Sequence, residues 1–131
     1  MTNALVFEVS LPYRELSSNG SHGHWSKVAR VRRLYREEAR ISALAAMREQ
    51  GWEHTGPVRV HLLFCTRGGR GVQRYQPRDE ANALAAAKPL LDGIVDAGVV
   101  VDDSRKHLTI GGVSIRADGG PFVRVTVEAL E

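Results

Sequence analysis

The chain has 131 residues, enough for one domain around one core, and its 43% hydrophobic and 25% charged content exclude disorder as the main state. At this length folding buries roughly two thirds of the unfolded surface, so no disulfide or structural metal is required. The single cysteine, Cys65, excludes a disulfide framework and a four-cysteine zinc site, and the formal net charge of +3 is too small to specify a partner.

Ala4 to Leu11 alternates Leu5, Phe7, Val9 and Leu11, the period of a half-buried strand. Met1 to Ser10 lacks the basic start of a secretory signal, and no apolar run approaches the ~18 residues of a membrane span. A cytoplasmic protein without a membrane partner is therefore expected. Pro12 to Gly23 is rich in turn-formers and reads as a loop. Ser26 is a candidate cap for a helix running to about Gln50, with Val28, Val31, Leu34, Tyr35, Ile41, Leu44 and Met47 mostly at three- and four-residue steps and Gly51 as its stop. Trp25 is expected to anchor the preceding loop to the core.

Val58 to Phe64 alternates again and predicts a second strand, and Thr66 to Pro77 reads as a loop rich in glycine and arginine. A second helical region spans about Ala81 to Ala97, broken or kinked at Pro89 and stopped by Gly98. Val99 to Val101 reads as short and extended, and Asp102, Asp103 and Ser104 as a turn. Leu108 to Arg116 and Phe122 to Glu128 read as a closing pair of strands. The order β-α-β-α-β-β predicts a single α+β domain over residues 1–131, with one mixed sheet and two helices packed on it.

Charge is uneven along the chain. Lys27 to Arg40 carries six basic residues, Arg59 to Arg78 five arginines and no acid, and Asp79 to Asp103 six acids against one base, Lys88. Acids flanked by arginine-rich segments suit a metal-dependent enzyme acting on a polyanion: carboxylates hold a divalent cation while arginines hold phosphates. A solvated basic helix face beside a flexible arginine loop accounts for the same runs.

Asp79, Asp92 and Asp103 with Lys88 are the candidate chemistry. Two or three converging carboxylates bind a hard cation, and a lysine beside them can neutralise developing charge. Lys88, Asp92 and Asp96 fall four apart, so a helix places them on one stripe. The structural alternative is a surface Lys88–Asp92 pair, for which lysine before the acid is the weaker order. His22 and His24 lack a close third ligand, and Cys65 reads as a small buried hydrophobe. The run Arg67-Gly68-Gly69-Arg70-Gly71 suits close approach to phosphate but lacks the Gly-Lys-Ser/Thr ending of a P-loop. A restriction-enzyme-like pattern fails because Ala86, not an acid, stands two residues before Lys88.

The series Arg78-Asp79-x-x-Asn82, Lys88-Pro89-x-x-Asp92-Gly93, Asp96-Ala97-Gly98 and Asp102-Asp103-Ser104 resembles the signature of RusA-family Holliday junction resolvases, in particular RusA-like proteins of actinobacterial phages and prophages. Leu11-Pro12, the loop containing Asn19, and Tyr35-Arg36 agree with it, so the resemblance covers nearly the whole chain. It implies a homodimeric, Mg²⁺-dependent endonuclease, with Mn²⁺ able to substitute, that cuts four-way DNA junctions symmetrically. The family's first aspartate, lysine and last aspartate match Asp79, Lys88 and Asp103. Its second aspartate falls on Ala81, and the segment before Lys88 is about one helical turn longer.

The resemblance therefore implies Asp79, Asp92 and Asp103 as metal ligands, with Asp92 in place of the missing acid and Glu80 and Asp102 behind it. Lys88 would stand beside the attacked phosphate. Lys27, Arg30, Arg33, Arg67, Arg70, Arg74 and Asn82 are the expected nucleic-acid contacts. A nuclease for flaps or forks and a non-catalytic junction- or DNA-binding module are the competing expectations.

Overall fold

In the computed structural model, which describes residues 3–17, 25–67 and 74–130, four strands form one mixed sheet. The strands are β1 (Ala4–Val9), β2 (Val58–Cys65), β3 (Leu108–Arg116) and β4 (Phe122–Ala129), in the spatial order β1-β4-β2-β3. Among the described residues three helices accompany them: α1 (Trp25–Gln50), α2 (Glu80–Ala86) and α3 (Lys88–Asp96). A single 3-10 turn at Arg14–Leu16 follows β1. The architecture is the expected α+β type, with the second helical region divided in two.

Alternation along the strands decides which face is covered. Leu5, Phe7 and Val9, Val58, Val60, Leu62 and Phe64, and Val123, Val125 and Val127 are buried in the same core cluster as Tyr35, Ala39 and Ala43 of α1 and Leu90 and Ile94 of α3. The intervening positions form the other face, where register pairs opposite charges. Glu8 stands across from Arg124 and Arg59 across from Glu128, with N···O distances of 3.1 and 3.4 Å. Exposed pairs of this kind contribute under about 1 kcal/mol each and serve mainly to fix register.

β2 and β3 run parallel, joined by the α2–α3 crossover, while β4 is antiparallel to both β1 and β2. The closing strands β3 and β4 are therefore not hydrogen-bonded neighbours, contrary to the expected pair, because β2 lies between them. Their connection, residues 117–121, passes over the end of β2. A Cβ on Gly120 would collide with the backbone carbonyl of Cys65, so this crossing requires glycine.

Helix α1 ends where the sequence stops it, at Gly51 with φ 67°. Its start differs from expectation. Trp25 already belongs to the helix and is 75% exposed, so it does not anchor the preceding loop to the core, and Ser26 lies in the first turn rather than at the cap. The buried face also differs. Leu34 and Ile41 are exposed, whereas Val31, Tyr35, Ala39, Ala43 and Ala46 are buried. Small residues line this face because α3 approaches closely. A Cβ on Gly93 would meet the Arg36 carbonyl oxygen and lie 2.7 Å from the Ala39 Cβ.

The break between α2 and α3 falls on Ala87 (φ −89°, ψ 0°), and Lys88 is the first residue of α3, with Pro89 in its first turn. Proline is tolerated there because the N–H it lacks has no intrahelical acceptor at that position. Gly98 (φ 85°) ends α3: its N–H donates to the Val95 carbonyl and that of Val99 to the Ile94 carbonyl, a Schellman stop. Val99–Val101 continues as bends rather than the expected extended segment, with Val99 and Val100 buried.

Candidate active site

Lys88 is presented by the first turn of α3, one helical turn before Asp92. Its Nζ donates to Asp103 Oδ2 at 2.8 Å and to Asp92 Oδ1 at 3.2 Å. Asp103 comes from the turn that follows α3, so two carboxylates eleven positions apart in the sequence (92 and 103) converge on one ammonium. The hydrogen bond from Lys88 holds the Asp103 carboxyl below its ordinary pKa, and the same bond, with Asp92 adding to it, raises that of Lys88. All three groups reach solvent; Lys88 and Asp103 are about half exposed and Asp92 less so. The cluster is thus open to a polyanion.

Asp79 does not join it. It is the N-cap of α2: Oδ1 accepts the backbone N–H of Asn82 at 2.9 Å, and Oδ2 accepts the Asn82 side-chain amide at 2.7 Å. Among the described residues no three His, Cys, Asp or Glu side chains gather closely enough to hold a metal ion. The expected three-carboxylate set is therefore not assembled, because local capping directs Asp79 toward its own helix. Asp79 and Asn82 instead line a cavity of about 320 Å³ with Ser17, Tyr75, Gln76 and Arg78.

Asp96, the last member of the Lys88–Asp92–Asp96 stripe, is taken by α1. Arg36 donates from Nε and Nη2 to the two oxygens of Asp96, at 2.5 and 2.8 Å, and this fork holds the Asp96 carboxyl below its usual range. Arg36 also feels the charge of Asp92, and Arg40, paired with Glu37, that of Asp96. Opposite charges thus alternate from Asp103 through Lys88, Asp92, Arg36 and Asp96 to Arg40. Sequence spacing conceals Arg36, since its partner lies 60 positions away.

The turn that presents Asp103 has its own lock. Asp102 Oδ1 accepts the Ser104 backbone N–H and lies 2.9 Å from His107 Nδ1, which is 3.1 Å from Ser104 Oγ. The Ser104 hydrogen bonds, then His107, bring the Asp102 carboxyl down to about 2. A carboxyl with a lowered folded-state pKa stabilises the fold above its unfolded value, near 3.9, and loses that contribution as pH falls toward the folded value. The contribution of Asp102 to the turn should therefore be complete above about pH 4 and be lost between about pH 4 and pH 2. The backbone amide resonance of Ser104 should report it, and Asp102→Asn should remove that titration step.

Of the expected nucleic-acid contacts, Arg30 and Arg33 are exposed on α1, Lys27 pairs with Glu15 at 3.0 Å, and Arg67 is exposed just beyond β2. Arg70 lies outside the described residues, and Asn82 is engaged with Asp79. Arg74 differs in kind. Its Nη1 donates to Ser10 Oγ at 2.9 Å and to the Leu11 carbonyl at 3.0 Å, and its guanidinium lies 3.8 Å from the Tyr13 ring centroid. Ser10 in turn donates its N–H and Oγ–H to Glu38, and Tyr35 donates its hydroxyl to the Ser10 carbonyl. Arg74 thus fastens the segment after the arginine loop to the end of β1. Arg74→Ala should cost about 1–3 kcal/mol in denaturant unfolding, through lost hydrogen bonds to a charged group, and leave the salt dependence of any DNA binding unchanged.

No helix among the described residues is long and apolar enough to cross a membrane. Comparison with models of known protein families and with curated proteins finds no match to the chain.

Proposed function

We propose that the chain is a Mg²⁺-dependent endonuclease for branched DNA, preferring four-way junctions and acting as a homodimer, by hydrolysis that leaves a 5′-phosphate and a 3′-hydroxyl. The observation that carries this reading is the convergence of Asp92 and Asp103 on Lys88 at an exposed point. Stability alone accounts poorly for that arrangement. A lysine in the first turn of α3 opposes the helix dipole, and the Lys88–Asp92 pair runs in the weaker order.

The donor set suits a hard cation. Mg²⁺ is commonly held by one or two carboxylates, with waters and substrate phosphate completing its shell, so Asp92 and Asp103 suffice as protein ligands. When bound, the ion supplies charge neutralisation and a water of lowered pKa. Lys88 serves the scissile phosphate, where its ammonium offsets charge developing on the phosphoryl oxygens. Arg30, Arg33 and Arg67 hold flanking backbone phosphates. Two copies related by a two-fold axis would give paired cuts on opposed strands.

A second reading, a junction-binding module without catalysis, draws on the separation of Asp79 from the other two carboxylates. Incubation with an end-labelled synthetic four-way junction and a forked duplex, with and without Mg²⁺, separates the readings. Mg²⁺-dependent cleavage of the junction is the expected result. A mobility shift without cleavage would favour the binding module, and equal cutting of the fork would widen the substrate class.

A further inference from the structure

The Lys88 ammonium occupies the very point that Asp92 and Asp103 share, at 3.2 and 2.8 Å from their oxygens. Any divalent ion bridging those two carboxylates must take the place of that ammonium, because the two cations would otherwise stand in direct repulsion. We propose that Lys88 is a resident counter-cation of the site: it offsets one of the two charges of the carboxylate pair and keeps the pair weakly available to metal until a substrate phosphate draws it away. This rests on the reading that Asp92 and Asp103 hold the ion.

Three features support an exchangeable role over a structural one. The lysine side chain is 57% exposed, so its head can leave for solvent or for a phosphate without opening the core. Its stem starts at the first residue of α3, where the dipole disfavours a cation, so the pairing is held by the two carboxylates rather than by the helix. The Asp102–Ser104–His107 lock fixes the turn independently, so Asp103 keeps its position when Lys88 departs. Phosphate binding and cation binding then reinforce each other: a phosphate that takes the ammonium leaves two unpaired carboxylates, and an ion on those carboxylates frees the ammonium for phosphate.

The test is a Mn²⁺ titration of the full chain without DNA, read by electron paramagnetic resonance. Lys88→Met, and Lys88→Gln as a polar second variant, should bind Mn²⁺ about tenfold more tightly than the native chain, since a competing unit charge within a few ångströms has gone. Lys88→Arg, which keeps the charge, should stay close to native affinity, and Asp103→Asn should lose most binding. Native or weaker Mn²⁺ affinity in both neutral variants, with binding still lost in Asp103→Asn, would overturn the inference while leaving the metal-dependent reading in place. No Mn²⁺ binding in any form would overturn both.

Discussion

Gly93→Val should lower the stability of the chain by about 3 kcal/mol, a fall in Tm on the order of 10 °C. The added Cβ alone would meet the Arg36 carbonyl oxygen, the Ala39 Cβ at 2.7 Å and the Arg40 nitrogen at 3.0 Å, and two of these three are backbone atoms of a packed helix. They cannot turn aside as a flexible side chain would, so α3 must move off α1. Gly93→Ala isolates the interhelical contact. By helix propensity alone alanine should stabilise an exposed helix by about 1 kcal/mol, so a net loss measured by thermal or urea unfolding would assign the effect to the interhelical contact. The displacement should also separate Arg36 from Asp96 and shift Lys88 and Asp92, so any activity should fall with stability. A Gly93→Ala variant more stable than the native chain would mean that the two helices are not this close.

The strands were legible because their signal is local. Alternation in Leu5–Val9 and Val58–Phe64 marks a one-sided sheet without reference to any other segment, and β3 starts and ends where the sequence places it. The buried face of α1 was not legible in the same way. Spacing favoured Leu34 and Ile41, yet the face against α3 is chosen by how closely a glycine-bearing helix can approach, which selects Ala39 opposite Gly93. The order of strands escaped for a related reason. Two strands joined by a short connection normally pair, and only the missing side chain at Gly120 hints that the connection crosses another strand.

The candidate site divides along the same line. Lys88 and Asp92 sit one helical turn apart and could be read as neighbours from their spacing. The place of Asp103 beside them depends on the turn after α3, which the run Asp102-Asp103-Ser104 signals through its side-chain-to-backbone bond. Asp79 shows the opposite outcome. An aspartate directly before a helix is also a strong N-cap, and here the cap prevails over convergence with the other acids. Arg74 likewise reads as one more arginine of a basic loop, whereas Ser10, Leu11 and Tyr13, more than sixty residues earlier, make it a fastening.

Asp103→Asn should reduce junction cleavage by about 10²–10³-fold while junction binding stays level or improves. The substitution keeps the shape of the side chain but removes a unit of negative charge that would hold the cation and repel phosphate. Asp92→Ala should be comparably damaging and should raise the Mg²⁺ concentration for half-maximal cutting, because one of two converging ligands is lost. Asp79 separates chemistry from capping. Asparagine caps a helix about as well as aspartate, whereas alanine costs about 1 kcal/mol there. If Asp79 acts only as the α2 cap, Asp79→Asn should melt and cut like the native chain, while Asp79→Ala should melt lower. If Asp79 also serves the reaction, Asp79→Asn should lose cleavage as Asp103→Asn does, with its melting temperature unchanged. Cleavage rates and melting curves for these four variants therefore decide whether the working site is the pair around Lys88 or a triad that closes only on DNA. Near-native cutting by Asp103→Asn would remove the cluster from the reaction altogether.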